Sequence, residues 1–473
     1  MQVNFSASGY WTFEDDITQY HGDLYLNRDA GGIVIYIRIP NHGAPKGYLQ
    51  LPIEIPLIKG TTINGAKITL IDCSRISTQS KVGTEDIYGY QAKYMIEGVS
   101  FDHKENVVFS KIKLSIPKII EWGNVSNYIM PDAGKDNVLI ELKNVNPIEI
   151  YTCEEYTLSY YLTYNYPLFN LMKEKIVLEQ TPYLTVESES LHTLNWFIDI
   201  VMKMKRIIEI AIGLPLEFNK MIAESPAIIW EFDDERTRIR PIEIVHALTR
   251  SLNKTNKKND ESNTKYLFNL NELSENADFS HWQKSSTIIE PVIELYIDDL
   301  YNQELSASRH FLNMIQALET YHSRFLCNGT LADFRIRVEA VIAIRPDVYK
   351  ESDRKFLLEG SHKGIALRSR LADLLTADFK FHFYTSRIKH RDFPKVIADT
   401  RNYYTHYNLR QEEKALKGND LIEAYHLLRS ILEYYILKEL GFDEDFIHER
   451  TRERIEPLII RNQIREVNER HKN

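Results

Sequence analysis

The stretch IVIYIRI, residues 33–39, places isoleucine at every second position with Val34, Tyr36 and Arg38 between. A period of two sends alternate side chains to opposite faces, so this is a strand with one face in a core. KITLIDC (67–73), YMIEGVSF (94–101), VVFSKIKLSI (107–116), TLSYYLTY (157–164) and YLTVES (183–188) are similar short runs. Turn-forming material such as NHGAPKG (41–47) and MPDAGKDN (130–137) separates them. Strands that follow one another without helices between predict an antiparallel sandwich or barrel over residues 1–187.

The period then changes. Trp196, Phe197, Ile200, Val201, Met204, Ile207, Ile208 and Ala211 recur at helical spacing, and Gly213 with Pro215 closes the segment. Residues 188–284 read as a mixed connecting region, with PAIIWEF (226–232) and IRPIEIVHAL (239–248) strand-like and NKTNKKNDESNT (253–264) a polar loop. From residue 285 onward the pattern is helical. Phe311, Met314, Ile315, Leu318, Tyr321 and Phe325 form one apolar face, and Leu367, Leu371, Leu374 and Leu375 another. A third runs from Leu421 through Ala424, Tyr425, Leu428, Ile431 and Leu432 to Tyr435, capped by Asn419 or Asp420 and stopped by Gly441. The expected fold class is α+β: a β-rich, sandwich-like N-terminal domain followed by an all-α helical bundle over residues 285–473.

The bulk numbers bound the function. The chain has 473 residues, 43 % apolar and 26 % charged, which is globular, and its net charge of −9 excludes a protein that coats nucleic acid by bulk electrostatics. Three scattered cysteines, Cys73, Cys153 and Cys327, supply neither a disulfide framework nor a zinc cluster. MQVNFSASGYWTF at the start lacks a signal-peptide pattern, and no apolar run reaches the roughly 18–20 residues of a membrane span. A cytoplasmic protein with no membrane attachment is expected. No metal site, phosphate-cradling glycine loop or nucleophile elbow is found, the Gly31-Gly32 pair reads as a turn, and no cofactor is expected.

TRNYYTH, residues 400–406, is the candidate site. Its helix is expected to start near Asp392-Phe393-Pro394, with a capping Asp and a first-turn Pro. Phe393, Val396, Ile397, Thr400, Tyr403, Tyr404 and Tyr407 make the apolar stripe, while Lys395, Asp399, Asn402 and His406 face away from it. Arg401 lies on the flank, roughly 140° from His406 at about 100° per residue. The spacing alone is weak, since Arg240–His246 and Arg465–His471 resemble it. The residues leave two readings open, a solvated polar face or a surface for a partner or substrate. His322, in the middle of an apolar face, reads as a core histidine. Around the motif, Arg387, Lys389, Arg391, Lys395, Arg401 and Arg410 face only Asp392 and Asp399, and His382, His390 and His406 enrich this basic island. Phe381, Phe383, Tyr384, Tyr403, Tyr404 and Tyr407 are interleaved, available either to stack bases or to fill a core.

Arg401-Asn402-x-x-x-His406 resembles the Arg-Asn-x-x-x-His motif of HEPN domains, helical bundles many of which are metal-independent ribonucleases. RHFLNMIQALETYH (309–322), LRSRLADLL (367–375), TRNYYTHYN (400–408) and LKELGF (437–442) resemble the ApeA-like branch. FSASGYWTF (5–13), GDLYL (22–26) and TPYLTVES (181–188) are similar to the β-rich domain preceding HEPN in that branch. The resemblance implies RNA cleavage in antiphage abortive infection by a homodimer or higher oligomer whose motifs face each other. It further implies an N-terminal domain that senses or restrains, and a phage-derived trigger. Arg401, Asn402 and His406 are the implied catalytic residues, and Glu319 a supporting one. Arg387, Lys389, Arg391, Lys395 and Tyr403 are the expected RNA contacts. Two alternatives stand beside this reading: a non-catalytic HEPN module binding RNA, nucleotide or protein, and a carbohydrate- or protein-binding sandwich using Trp11 and tyrosines.

Overall fold

The computed structural model describes residues 4–27, 32–40, 51–81, 84–131, 139–165, 177–231, 237–246, 265–359, 365–384, 386–407 and 409–470. The expected turn at 41–47, most of the one at 130–137 and the polar loop 253–264 lie outside the described residues, as does Gly31. The chain forms two compact units. One comprises Met1–Lys205 and Leu216–Ser262, the other Arg206–Pro215 and Asn263–Asn473.

In the first unit, β1 (Asn4–Phe13), β2 (Tyr20–Asn27), β3 (Gly32–Pro40), β4 (Glu54–Thr62), β5 (Lys67–Lys81) and β6 (Glu85–Glu97) pair antiparallel. Their order is β6-β3-β2-β1-β4-β5, and β5 pairs back onto β6, which closes a barrel. Of the two antiparallel arrangements open to the sequence, the barrel forms, and closure leaves no free edge within it. Ile33, Ile35 and Ile37 point inward and are fully buried, each worth about 1.5–3 kcal/mol. Trp11 is buried beside them and its indole N–H donates to the Gly22 carbonyl at 3.1 Å, so it offers no ligand contact. The sheet continues from β6 through strands β7 (Val108–Ser115), β8 (Ile148–Thr152), β9 (Thr157–Tyr164), β10 (Gln180–Thr193), β11 (Lys220–Glu224) and β12 (Ile242–His246). They follow in the order β12, β11, β7, β10, β9, β8.

Helix α1 (Leu194–Ile212) ends at Gly213, whose φ of 78° suits a residue without Cβ. The second unit is helical, with α2 (Leu270–Asn276), α3 (Phe279–Tyr301), α4 (Ala307–Tyr321), α5 (Cys327–Ile344), α6 (Glu351–Glu359), α7 (Leu367–Leu374), α8 (Phe393–His406), α9 (Gly418–Glu439) and α10 (Glu444–Arg470). Asn269 caps α2 in a complete capping box with Glu272. The α4 face expected from sequence is buried from Phe311 to Tyr321, and α4 packs on α3 and α9. Lys417, not Asn419 or Asp420, occupies the N-cap of α9, and its side chain makes no capping hydrogen bond. Asp420 sits in the first turn, where a negative charge faces the positive end of the helix dipole. Gly441 ends the helix at φ 83° as expected, and the Phe442 N–H closes onto the Leu437 carbonyl at 3.2 Å.

Between α4 and α5 the chain makes a π turn, His322–Leu326. His322 is fully buried there, as its place on the apolar face predicts, and its Nε2 lies 2.8 Å from Asp373 Oδ2 of α7. No helix of the described residues is long and apolar enough to cross a membrane.

Candidate active site

Helix α8 follows a 3-10 turn at His390–Asp392. Pro394 takes the first turn as expected, but Asp392 does not cap with its side chain, pairing instead with Arg391 at 3.6 Å. Phe393, Pro394, Ile397 and Thr400 are the buried face. Thr400 Oγ accepts the Leu416 N–H at 3.1 Å, and the Tyr404 hydroxyl donates to the Leu416 carbonyl at 3.1 Å. Both main-chain groups of Leu416 are therefore held by α8, which fixes the last turns of that helix. The helix stops at His406 because Tyr407 turns left-handed, with φ 48° and ψ 38°. That conformation strains a bulky side chain by about 1–3 kcal/mol. The Tyr407 ring stacks edge-on against Tyr403 and Tyr404, at 5.6 and 6.4 Å between centroids.

The end of α8 carries the motif. Arg401 curls back so that its Nη1 donates to Asn402 Oδ1 at 3.4 Å, while Nη2 lies 3.7 Å from Glu319 Oε2 on α4. Glu319 thus faces the motif. Arg401 is 33 % exposed and Glu319 28 %, so the pair is worth at most about 1 kcal/mol and an incoming anion can displace the carboxylate. Asn402 contacts the guanidinium rather than His406, although it shares a face with the histidine. His406 is exposed at the last helical position, and among the described residues it makes no hydrogen bond or ion pair.

The basic island divides. Lys389, Arg391 and Lys395 are exposed around the start of α8. Lys395 stands eleven residues before His406, roughly 16 Å along the axis at 1.5 Å per residue. Arg387 reaches toward Asp420 at 4.0 Å. His382 adds no charge near neutrality, because burial, with His448 nearby, pushes its pKa down to about 4. Phe383 is buried, and Phe381 lies under the Arg452 guanidinium at 4.0 Å. Tyr403 is half-buried beneath the Lys417 ammonium at 5.8 Å. The exposed aromatic beside the motif is Tyr407, at 66 %, which the sequence placed on the apolar stripe. Asn408 immediately after it was the available sign of a helix stop. Among the described residues no group of three or more His, Cys, Asp or Glu side chains is placed to hold a metal ion.

The motif thus presents an arginine tethered by an amide and a carboxylate, on a helix that ends in an open imidazole. Residues 312–446 match the family model described as Apea-like HEPN, and residues 6–282 match that described as ApeA N-terminal domain 1. The chain belongs to the ApeA-like HEPN family, and that membership supports a nuclease role in defence. No curated protein and no solved structure matches the chain.

Proposed function

We propose that this protein is an endoribonuclease of antiphage abortive infection that cuts RNA through Arg401, Asn402 and His406 without a metal ion. The observation that carries the reading is that one helix end bears both a tethered guanidinium and a water-facing imidazole without a partner among the described residues. RNA brings its own nucleophile. The 2′-OH attacks the adjacent phosphorus, the O2′–P bond forms, and the P–O5′ bond breaks. The products are a 2′,3′-cyclic phosphate and a 5′-hydroxyl. A neutral imidazole takes the 2′ proton, and a protonated one delivers a proton to the leaving 5′ oxygen. A homodimer that brings two copies of His406 together divides this work between them. Arg401, always charged, steadies the crowded phosphorane. The β-rich unit restrains the nuclease until a phage-derived trigger is sensed, since host RNA must be spared beforehand.

Arg401→Ala and His406→Ala should each lower RNA cleavage in EDTA by about 10³-fold or more, while changing stability by no more than about 1 kcal/mol. Cleavage retained in both variants, or appearing only with added metal, discards this mechanism. Sequencing of RNA ends from phage-challenged cells carrying wild type or His406→Ala tests the cellular role.

A further inference from the structure

Beside the Arg401–Glu319 pair opens a cleft of about 350 Å³ lined by Gln316, Glu319, Thr320, Ser323, Arg324 and Arg370. Its floor is the last turn of α4 and the π turn that follows. A π turn is rare and recurs at functional sites, because the extra residue re-aims side chains that a regular helix would send elsewhere. Here it carries Ser323 and Arg324 into the cleft. Helix α7 holds the turn from the side. Arg370 donates to the Glu319 carbonyl at 3.4 Å and to the Ile365 carbonyl at 3.3 Å, and Asp373 meets His322 at 2.8 Å. Arg324 is steadied by one hydrogen bond, to the Ile288 carbonyl at 3.0 Å, and among the described residues it makes no ion pair.

The chemistry of the lining is uneven. Arg324, held through a neutral carbonyl, brings one guanidinium to the lining, and Arg370 brings a second. Among the described residues the carboxylate in the lining is Glu319, which is engaged by Arg401. Gln316, Thr320 and Ser323 add neutral hydrogen-bonding groups, and among the described residues no large apolar side chain lines the space. Such a surface recognises an anion with several acceptor oxygens and no apolar body.

We propose that this cleft is a phosphate subsite, which holds the RNA backbone phosphate adjoining the one that Arg401 grips. The proposal rests on the nuclease reading above. It makes the enzyme selective for polynucleotide over a single phosphodiester, and it gives Arg324 and Arg370 a role in substrate positioning independent of base sequence.

The test uses the full chain. In Arg324→Gln, the KM for an oligoribonucleotide should rise about tenfold, the worth of one charge-assisted hydrogen bond, with kcat changed little. The preference in kcat/KM for that oligomer over a dinucleotide should fall by a similar factor. Arg324→Lys, which keeps the charge and loses the fork, should fall between. Binding is measured separately with His406→Ala, which holds RNA uncut. There, Arg324→Gln should flatten the salt dependence of oligonucleotide affinity by about 0.7 in log–log slope, one phosphate's worth on a single strand. DNA of the same sequence, which has the phosphates without the 2′-OH, should compete through the same residue. Equal KM and equal salt slope in wild type and Arg324→Gln would overturn the subsite, even if the wild type cuts RNA as proposed. If the wild type cuts no RNA, the nuclease reading fails alone, and the binding arm still decides the subsite.

Discussion

Inside the barrel, Trp11, Leu24, Ile33, Ile35 and Ile37 belong to a buried cluster of apolar and aromatic side chains with Cys73 among them. The helical unit instead takes Asp299, Glu433, Glu439 and His322 out of water along with its leucines. Each finds a partner. Asp299 accepts from His310 and from the Tyr425 hydroxyl at 2.7 and 2.8 Å, and Glu439 from the Tyr321 hydroxyl at 2.8 Å. At the centre, Glu433 accepts from Arg429 Nε at 2.9 Å and from the Tyr296 hydroxyl at 2.6 Å, with Arg454 at 3.6 Å. The barrel is held by area, which any apolar side chain of the right size can supply. The bundle is held partly by charges whose loss leaves an unpaired ion behind.

The largest effect expected from this difference is at Glu433. Burial alone would raise its pKa, but Arg454 and Arg429 outweigh burial and hold it below the usual range, so it is ionised. Glu433→Ala strands two buried guanidinium groups and should destabilise the helical unit by about 3–5 kcal/mol. Hydrogen exchange read in each unit after denaturant titration checks this. Loss confined to the helical unit supports the contrast, and a loss below 1 kcal/mol breaks it.

The same contrast explains what the sequence could show. Period-two isoleucines reveal the barrel strands because the barrel core is almost purely apolar. Helix α9 reads as a helix with one apolar face, yet it is buried nearly all round, since Glu423, Ser430, Glu433 and Glu439 are interior polar residues. A buried charge looks identical in sequence to a solvated one until its partner, such as Arg454 or Tyr296, is folded beside it. The helical unit also includes Arg206–Pro215, where Glu209 accepts from the Tyr301 hydroxyl at 2.6 Å. No change of period within α1 marks that turn. At the site, the motif and Glu319 were legible as residue types. The tether from Asn402 to Arg401 was not, because it depends on the rotamer of a long side chain. The π turn that builds the neighbouring cleft was hidden too, since π and α turns share one hydrophobic pattern over five residues.

Acid should reveal a feature that both units share. Burial, with Lys93 nearby, pushes His246 of the barrel unit down to about 4, as burial and His448 do for His382 of the helical unit. Each group binds its proton more readily unfolded, near the ordinary value of 6.5, than folded. The stability each lends is therefore present above that pH and lost as pH falls toward 4, by up to about 3 kcal/mol per histidine. His382→Gln should flatten the pH slope between 6.5 and 4 in the helical unit and leave it in the barrel unit. An unchanged slope in the helical unit would show that His382 carries no such linkage.

A smaller effect, and the sharpest probe of the barrel, is expected at Gly60. A Cβ there would lie 2.3 Å from Trp11 Cε3, 2.7 Å from Cδ2 and 2.7 Å from the Tyr10 carbonyl oxygen. The indole cannot yield easily, because it is walled in by the barrel and tied through its N–H to Gly22. Gly60→Ala should therefore cost about 1–3 kcal/mol through overpacking, without leaving any ion unpaired. Pairing it with Trp11→Phe separates the two mechanisms. The smaller ring vacates part of the space, so the double variant should lose less than the sum of the single losses. Strict additivity would mean that the indole and the added methyl never meet, and that the barrel tolerates crowding better than an area-held core should.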